Sequence, residues 1–181
     1  MNYYQQKQFI ARIDKDDKVL GKIEKWEAHK KGIPHRGFTA ILEYKNDLVI
    51  QHRKHPAFDG VFDLSFSFHQ IYINNVLQTD YEAIYSSLAR EWNLTKKDLA
   101  TDLKFLGKIY YKAKDQSSIY TEHEIDYIYI VETKVLPVPN FDFAYGFSLV
   151  KKSDLKSKIS GLWSPMIAPW VKKIIEAKFI K

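Results

Sequence analysis

The chain has 181 residues, 45% of them hydrophobic and 15% aromatic; this excludes an intrinsically disordered chain and suffices for one domain, residues 1–181, with its own core. It has no cysteine, which excludes disulfides and thiolate sites. The formal net charge of +6 is spread along the chain, which is more often a soluble surface than a nucleic-acid footprint; a small phosphorylated ligand would also be drawn to it, and charge does not decide between the two.

In chain order, FIARID and KVLGKIE read as short strands around the polar turn KDDK. The stretch WEAHKKGIPHRGF sets His29 and His35 around a basic turn containing Gly32 and Pro34. RGFTAILEY, KND and LVIQHR form a predicted β-hairpin, with Asn46 and Asp47 suited to its turn. VFDLSFSFH alternates, which puts Ser65, Ser67 and His69 on one strand face and Phe66 and Phe68 on the other. At Thr79 the period changes. Thr79 and Glu82 make a capping-box pattern, and Tyr81, Ile84, Tyr85, Leu88 and Trp92 follow as an apolar stripe at helical spacing. Two long strands come next, LKFLGKIYYKA and IYTEHEIDYIYIVE. The tail holds a strand, FSLVK, a short helix from Ser153, and a final helix from Ser164–Pro165, where proline suits the first helical position. Hairpin-paired strands with helices between them predict an α+β chain, an α/β/α sandwich with a mixed β-sheet.

Several polar residues need a reason. Alternation in YTEHEIDYIY places Glu122, Glu124 and Asp126 on one strand face, with neighbours only about 6.5 to 7 Å apart. Three such carboxylates repel unless water or a cation screens them, so the face is either a solvated edge strand or a cation site. His123, on the other face, reads as packing or surface. His69 closes an apolar strand and is either a satisfied buried histidine or a ligand; His29 and His35 are surface residues or ligands. Three histidines and two carboxylates together are a set that divalent metals favour: imidazole suits Zn²⁺, and added carboxylates move the choice toward Mn²⁺ or Mg²⁺. Glu91, near the end of the predicted helix, is either a charged helix residue or a holder of a second cation on a diphosphate.

Taken in order, these pieces resemble type I isopentenyl-diphosphate isomerase, a family on the Nudix fold, from about residue 10 to the final helix. VLGKIEKWEAHKKGIPHRGF is similar to the family's opening, and LVIQHR to its next strand, which ends in arginine. GVFDLSFSFHQ is similar to its Gly-Val-Trp strand that runs to Cys-Gly-His, YTEHEI to its Glu-x-Glu segment, and WSPM to its Ser/Thr-Pro-Trp. The resemblance implies a five-ligand site for Zn²⁺, Mn²⁺ or Mg²⁺ at His29, His35, His69, Glu122 and Glu124. It further implies a diphosphate clamp of Lys25 and Arg53, helped by Lys54, with Mg²⁺ on the substrate diphosphate through Glu91, and an active-site tyrosine at Tyr111.

The departures bear on the chemistry. The family's catalytic cysteine aligns with Ser67, and Phe68 replaces the small residue after it. Met166 stands at the aromatic position of Ser/Thr-Pro-Trp, with Trp163 nearby as a substitute, and Ser87 stands where the family has an arginine. The hydrolytic Nudix pattern, G-x5-E-x7-R-E-U-x-E-E-x-G-U, is mostly absent: Glu91 and Leu94 remain, but Ser87 and Arg90 lie where hydrolases need carboxylates. The implied reaction is proton addition and abstraction that turns isopentenyl into dimethylallyl diphosphate. Glu124 and Ser67 would be the acid–base pair, Ser67 being the weaker because an aliphatic hydroxyl is far less acidic than a thiol. The alternatives are a divergent Nudix hydrolase of another diphosphate, such as a nucleotide, and a non-catalytic phospho-ligand binding module.

No apolar run approaches a membrane span, and MNYYQQKQF lacks a signal peptide's apolar core. The expectation is therefore a cytoplasmic monomer or homodimer whose partner is a small diphosphate, with no membrane or nucleic acid.

Overall fold

Lys45 and Asn46 both take left-handed backbone conformations, φ 51° and 68°, the pair of angles that joins two antiparallel strands with matching twist. Around that turn β3 (His35–Tyr44) and β4 (Asp47–Arg53) form the predicted hairpin, but the turn falls one residue earlier than expected: Asp47 is the first residue of β4 and pairs with Tyr44. In the computed structural model, which describes residues 3–161 and 164–180, the two strands pair only next to the turn, Glu43 with Leu48 and Tyr44 with Asp47, and then part.

Ser65 fills the gap. The alternating stretch predicted as one strand is two, β5 (Phe62–Leu64) on β4 and β6 (Phe66–Phe68) on β3. Ser65 is buried and left-handed at φ 66°. Its Oγ donates to the Val49 carbonyl at 2.8 Å and accepts from the Leu42 amide at 2.7 Å, tying the parted strands.

The other strands extend this frame. β1 (Phe9–Ile13) and β2 (Val19–Glu24) form a hairpin that meets β3 at Arg12–His35, and β7 (Tyr72–Ile73) and β8 (Val76–Leu77) make a separate small hairpin. β9 (Lys104–Lys114) pairs antiparallel with β10 (Thr121–Glu132), and β10 runs parallel to β3. β11 (Ala144–Lys151) covers the far side of β4. The sheet is therefore mixed. β10 has a strand on each side, so the edge-strand reading of its carboxylate face is wrong: Glu122, Glu124 and Asp126 are all buried.

Helices cover both faces. α2 (Asp80–Trp92) starts in the predicted capping box, Thr79 with Glu82, and packs Ala83, Ile84, Leu88 and Trp92 on Phe38, Ala40 and Leu42. Tyr81 leaves the predicted stripe and is 49% exposed. On the opposite face α3 (Lys152–Ser160) and α4 (Pro169–Glu176) bring Leu155, Trp170, Val171 and Ile174 against Ile41, Ile50 and Ile128. Consecutive β3 residues thus feed opposite cores, as strand alternation requires, and the layers are α/β/α. The last helix starts later than predicted: Ser164–Met166 is a short 3-10 turn, and Pro169 holds the first helical position. No described helix is long and apolar enough to cross a membrane.

Candidate functional site

The basic turn between the two histidines is in fact mostly helix, α1 (Lys25–Lys31), which the sequence reading missed. Glu24 caps its start by accepting from the Glu27 amide at 2.8 Å. Gly32, left-handed at φ 60°, ends it, and its N–H turns back to the carbonyls of Ala28 and His29. The chain then enters β3 at His35. His29 and His35 are both wholly buried.

Both rings are oriented from behind. His29 Nδ1 donates to the Lys25 carbonyl at 2.6 Å, and His35 Nδ1 donates to the Ile33 carbonyl at 2.8 Å. A carbonyl only accepts, so Nδ1 carries the proton and each Nε2 faces inward as a lone pair or as a second, charged N–H. His69, just past β6, completes a triangle with ring centroids 4.7 to 5.1 Å apart. β10 supplies the acids, Glu124 lying beside His35 in the parallel register. Glu122 Oε2 is 3.1 Å from His29 Nε2 and 3.6 Å from His35 Nε2; Glu124 Oε1 is 3.3 Å from His35 Nε2 and 2.8 Å from His69 Nε2.

This donor set fits a divalent metal. One ligating atom from each of His29, His35, His69 and Glu122 lies within 4.8 Å of the others, and Glu124 touches two of the same imidazoles. Ligands about 2.1 Å from a tetrahedral ion sit roughly 3.4 Å from one another, close to the spacings here. The three Nε2 atoms and Glu122 Oε2 are buried without a hydrogen-bond partner, which is costly unless a cation satisfies them. The local field agrees. Burial works against a charged His35, yet Glu122 and Glu124 outweigh it and raise its pKa to about 10. Burial and the Glu122 charge would raise Glu124, but His35 and His69 bring it down to about 2.

Tyr111 on β9 pairs with Glu124 across the strands, and its hydroxyl donates to Glu124 Oε2. Burial and then the Glu124 charge hold the phenol protonated. Gly37 on β3 clears the space in which the Glu124 carboxylate lies.

Ser67 is not an isolated hydroxyl. Its Oγ lies 2.8 Å from Thr39 Oγ1 and 3.2 Å from Asp63 Oδ1, and Thr39 Oγ1 lies 2.8 Å from Asp126 Oδ2. Four groups share three contacts, but the two hydroxyls bring only two protons. With both acids ionised, Thr39 donates to Asp126 and Ser67 to Asp63, and the contact between the hydroxyls has none. A proton on Asp126 turns the chain around, so that Asp126 donates to Thr39, Thr39 to Ser67 and Ser67 to Asp63. Burial, reinforced by the Glu124 charge, does raise the Asp126 carboxyl well above the usual carboxylate range. Asp63 and Thr39 are site residues that the sequence reading missed. Asp63 shares the alternation of Ser65, Ser67 and His69 and was within reach; Thr39 is found only through cross-strand pairing.

The three residues expected to hold a diphosphate differ in their surroundings. Lys25 is 1% exposed and its Nζ has no hydrogen-bond partner. It lies 4.2 Å from the Phe68 ring centre and 4.7 Å from that of Trp26. Burial, then the charge of Arg53, lowers its pKa to about 7. Arg53 is buried and loosely held, its contacts to Asp63, Ala57 and Ser67 all at 3.5 Å, the outer limit of a hydrogen bond. Lys54 turns away and donates to the Phe141 carbonyl at 3.1 Å. Met166 is 41% exposed, and Trp163 lies outside the described residues.

Glu91, expected to hold Mg²⁺ on the diphosphate, lies on α2 and accepts from Arg90 on Oε1 at 2.7 Å.

No protein-family model matches the chain. Among solved structures, a Deinococcus radiodurans protein superposes with a TM-score of 0.68 at 16% identity, over 93% of this chain and 98% of that one. A MutT Nudix hydrolase from Burkholderia pseudomallei does so with a TM-score of 0.51 at 15% identity, over 67% of this chain and 86% of that one. These likenesses speak for the fold, and the chain is a Nudix-fold protein. In sequence it is similar to isopentenyl-diphosphate Delta-isomerase 1 of Mesocricetus auratus, 28% identical in an alignment 197 positions long that covers 98% of this chain and 86% of that protein.

Proposed function

We propose that this protein is a metal-dependent isomerase of the isopentenyl-diphosphate type, moving a double bond by proton addition and abstraction. The observation that carries the reading is the convergence of His29, His35 and His69 on Glu122 and Glu124 at the β3–β10 pair, away from α2, where the hydrolytic pattern needs its carboxylates. The named isomerase relative supports it.

A divalent ion at those five side chains would supply positive charge that tunes the proton affinity of Glu124. The residues themselves provide two proton-handling ends, as the reaction requires. Glu124 is the acid end. Tyr111, donating to Glu124 Oε2, keeps that oxygen in place. Ser67 is the base end. A C–H beside a tertiary carbocation is very acidic, so a neutral hydroxyl suffices to accept its proton while passing its own to Asp63 Oδ1. Exchange with solvent resets both ends. Lys25 and Arg53 hold the diphosphate.

The test is proton NMR of isopentenyl diphosphate in D₂O with the purified protein and added Zn²⁺ or Mg²⁺, or with Mn²⁺ that is removed before the spectrum. Deuterated dimethylallyl diphosphate is the expected product; an unchanged spectrum with metal on the protein overturns the reading. The likeness to a Nudix hydrolase favours a second reading, hydrolysis of another diphosphate, against which Ser87 and Arg90 stand. Phosphorus NMR of the same samples, repeated with nucleoside diphosphates, separates the two, and binding without turnover would mark a recognition module.

A further inference from the structure

Two charged neighbours on α2, Arg90 and Glu91, lie at the Lys25 end of the site. Arg90 donates to Glu91 Oε1 at 2.7 Å and to Ser87 Oγ at 2.8 Å. Its guanidinium carbon is 4.3 Å from the centre of the Phe68 ring, the ring that Lys25 Nζ approaches to 4.2 Å. The same carbon is 4.4 Å from the centre of the Tyr3 ring. Arg90 Nε and Lys25 Nζ are both buried without a hydrogen-bond partner. Arg53, Glu122, Arg90 and Glu91 are all near enough to shift the proton affinity of Lys25, so two guanidinium groups and two carboxylates surround this lysine.

We propose that Arg90 binds the substrate's diphosphate as a fixed cation, in the place that a second divalent ion held by Glu91 would otherwise take. Such an ion would have to displace a charge-assisted hydrogen bond and sit beside the Arg90 guanidinium, and both oppose it. A diphosphate meets the opposite conditions. The planar guanidinium fork matches two phosphate oxygens at once, and Arg90 still has an uncommitted donor at Nε. The consequence is a diphosphate clamp of Lys25, Arg53 and Arg90 that works without Mg²⁺. The inference rests on the proposed function only for the class of ligand.

The test is titration calorimetry of the full chain, loaded with Zn²⁺ and freed of unbound ion, using inorganic diphosphate as the probe with and without Mg²⁺. Diphosphate is expected to bind in Mg²⁺-free buffer, with Mg²⁺ changing Kd by less than about threefold, and Arg90→Gln to weaken binding by about tenfold or more. Arg90→Lys, which keeps the charge, is expected to recover part of the loss, and Lys172→Ala, which removes a charge from the exposed side of α4, to change nothing. Binding that requires Mg²⁺, or wild-type affinity in Arg90→Gln, overturns the proposal. If Arg90→Gln fails to fold, the Mg²⁺ dependence of the unaltered chain still decides. Absence of turnover together with Mg²⁺-free, Arg90-dependent binding would sink the isomerase reading and leave this one standing.

Discussion

Gly37 and Glu124 compete for one space: a methyl group at Gly37 would lie 2.5 Å from Glu124 Oε1. The two are on neighbouring strands, with Gly37 opposite Asp126 in the β3–β10 register. A glycine at that point of β3 leaves the space that the carboxylate occupies as it reaches His35 and His69.

Gly37→Ala is therefore expected to displace the Glu124 carboxylate while leaving the fold intact. Loss of one oriented ligand should weaken metal binding by about 10- to 100-fold, measured by competition with a chromogenic chelator. Wild-type affinity in that variant would mean that Glu124 does not belong to the metal site.

Lys25 makes stability depend on pH with a definite sign. Its pKa is about 7 in the folded chain and near 10.4 when unfolded. Between those values the unfolded chain binds a proton that the folded chain does not, so stability rises with pH across that window. Below about pH 7 both states carry the charge and the burial penalty is present in full. Urea unfolding of Lys25→Met should show a flatter profile from pH 7 to 10 and a more stable protein than wild type at pH 6. Parallel profiles for the two proteins would refute the shift.

The proton chain orders four variants. Glu124→Gln should abolish isomerisation, and unchanged turnover would end the proposed mechanism. Asp63→Asn should slow it by about 100-fold at constant metal stoichiometry, and Ser67→Ala at least as much, in the range usual for a lost acid–base group. Ser67→Cys should raise turnover, because a thiol near pKa 8.5 gives up its proton far more readily than an aliphatic hydroxyl. The deuterium NMR assay reads all four; equal rates in wild type and Asp63→Asn would show that Asp63 only anchors Trp170, whose Nε1 it accepts at 2.7 Å.

The β3–β4 turn, the capping box at Thr79 and the two long strands were legible in the amino-acid sequence because each depends on residues a few positions apart. α1 escaped because its cap is a glutamate, Glu24, and its length is two turns. The start of the last helix was misread because two proline positions compete, and Trp170 in the core selects the later one. The break at Ser65 has no local signature: a serine adopts φ 66° there because its hydroxyl is bound by both parting strands.

For the candidate site, the sequence alone determined the chemistry on offer: three histidines, an acidic strand face, a serine in line with them, and lysine and arginine for an anion. Only the tertiary structure decided which groups meet. The parallel pairing of β10 with β3 turned an apparent edge face into a buried one and set Glu124 beside His35. It also brought Asp126 to Thr39, and through Thr39 to Ser67 and Asp63. Periodicity assigns a side chain to a face, but burial and register decide what that face touches, and those follow from strand pairing between residues far apart in the chain.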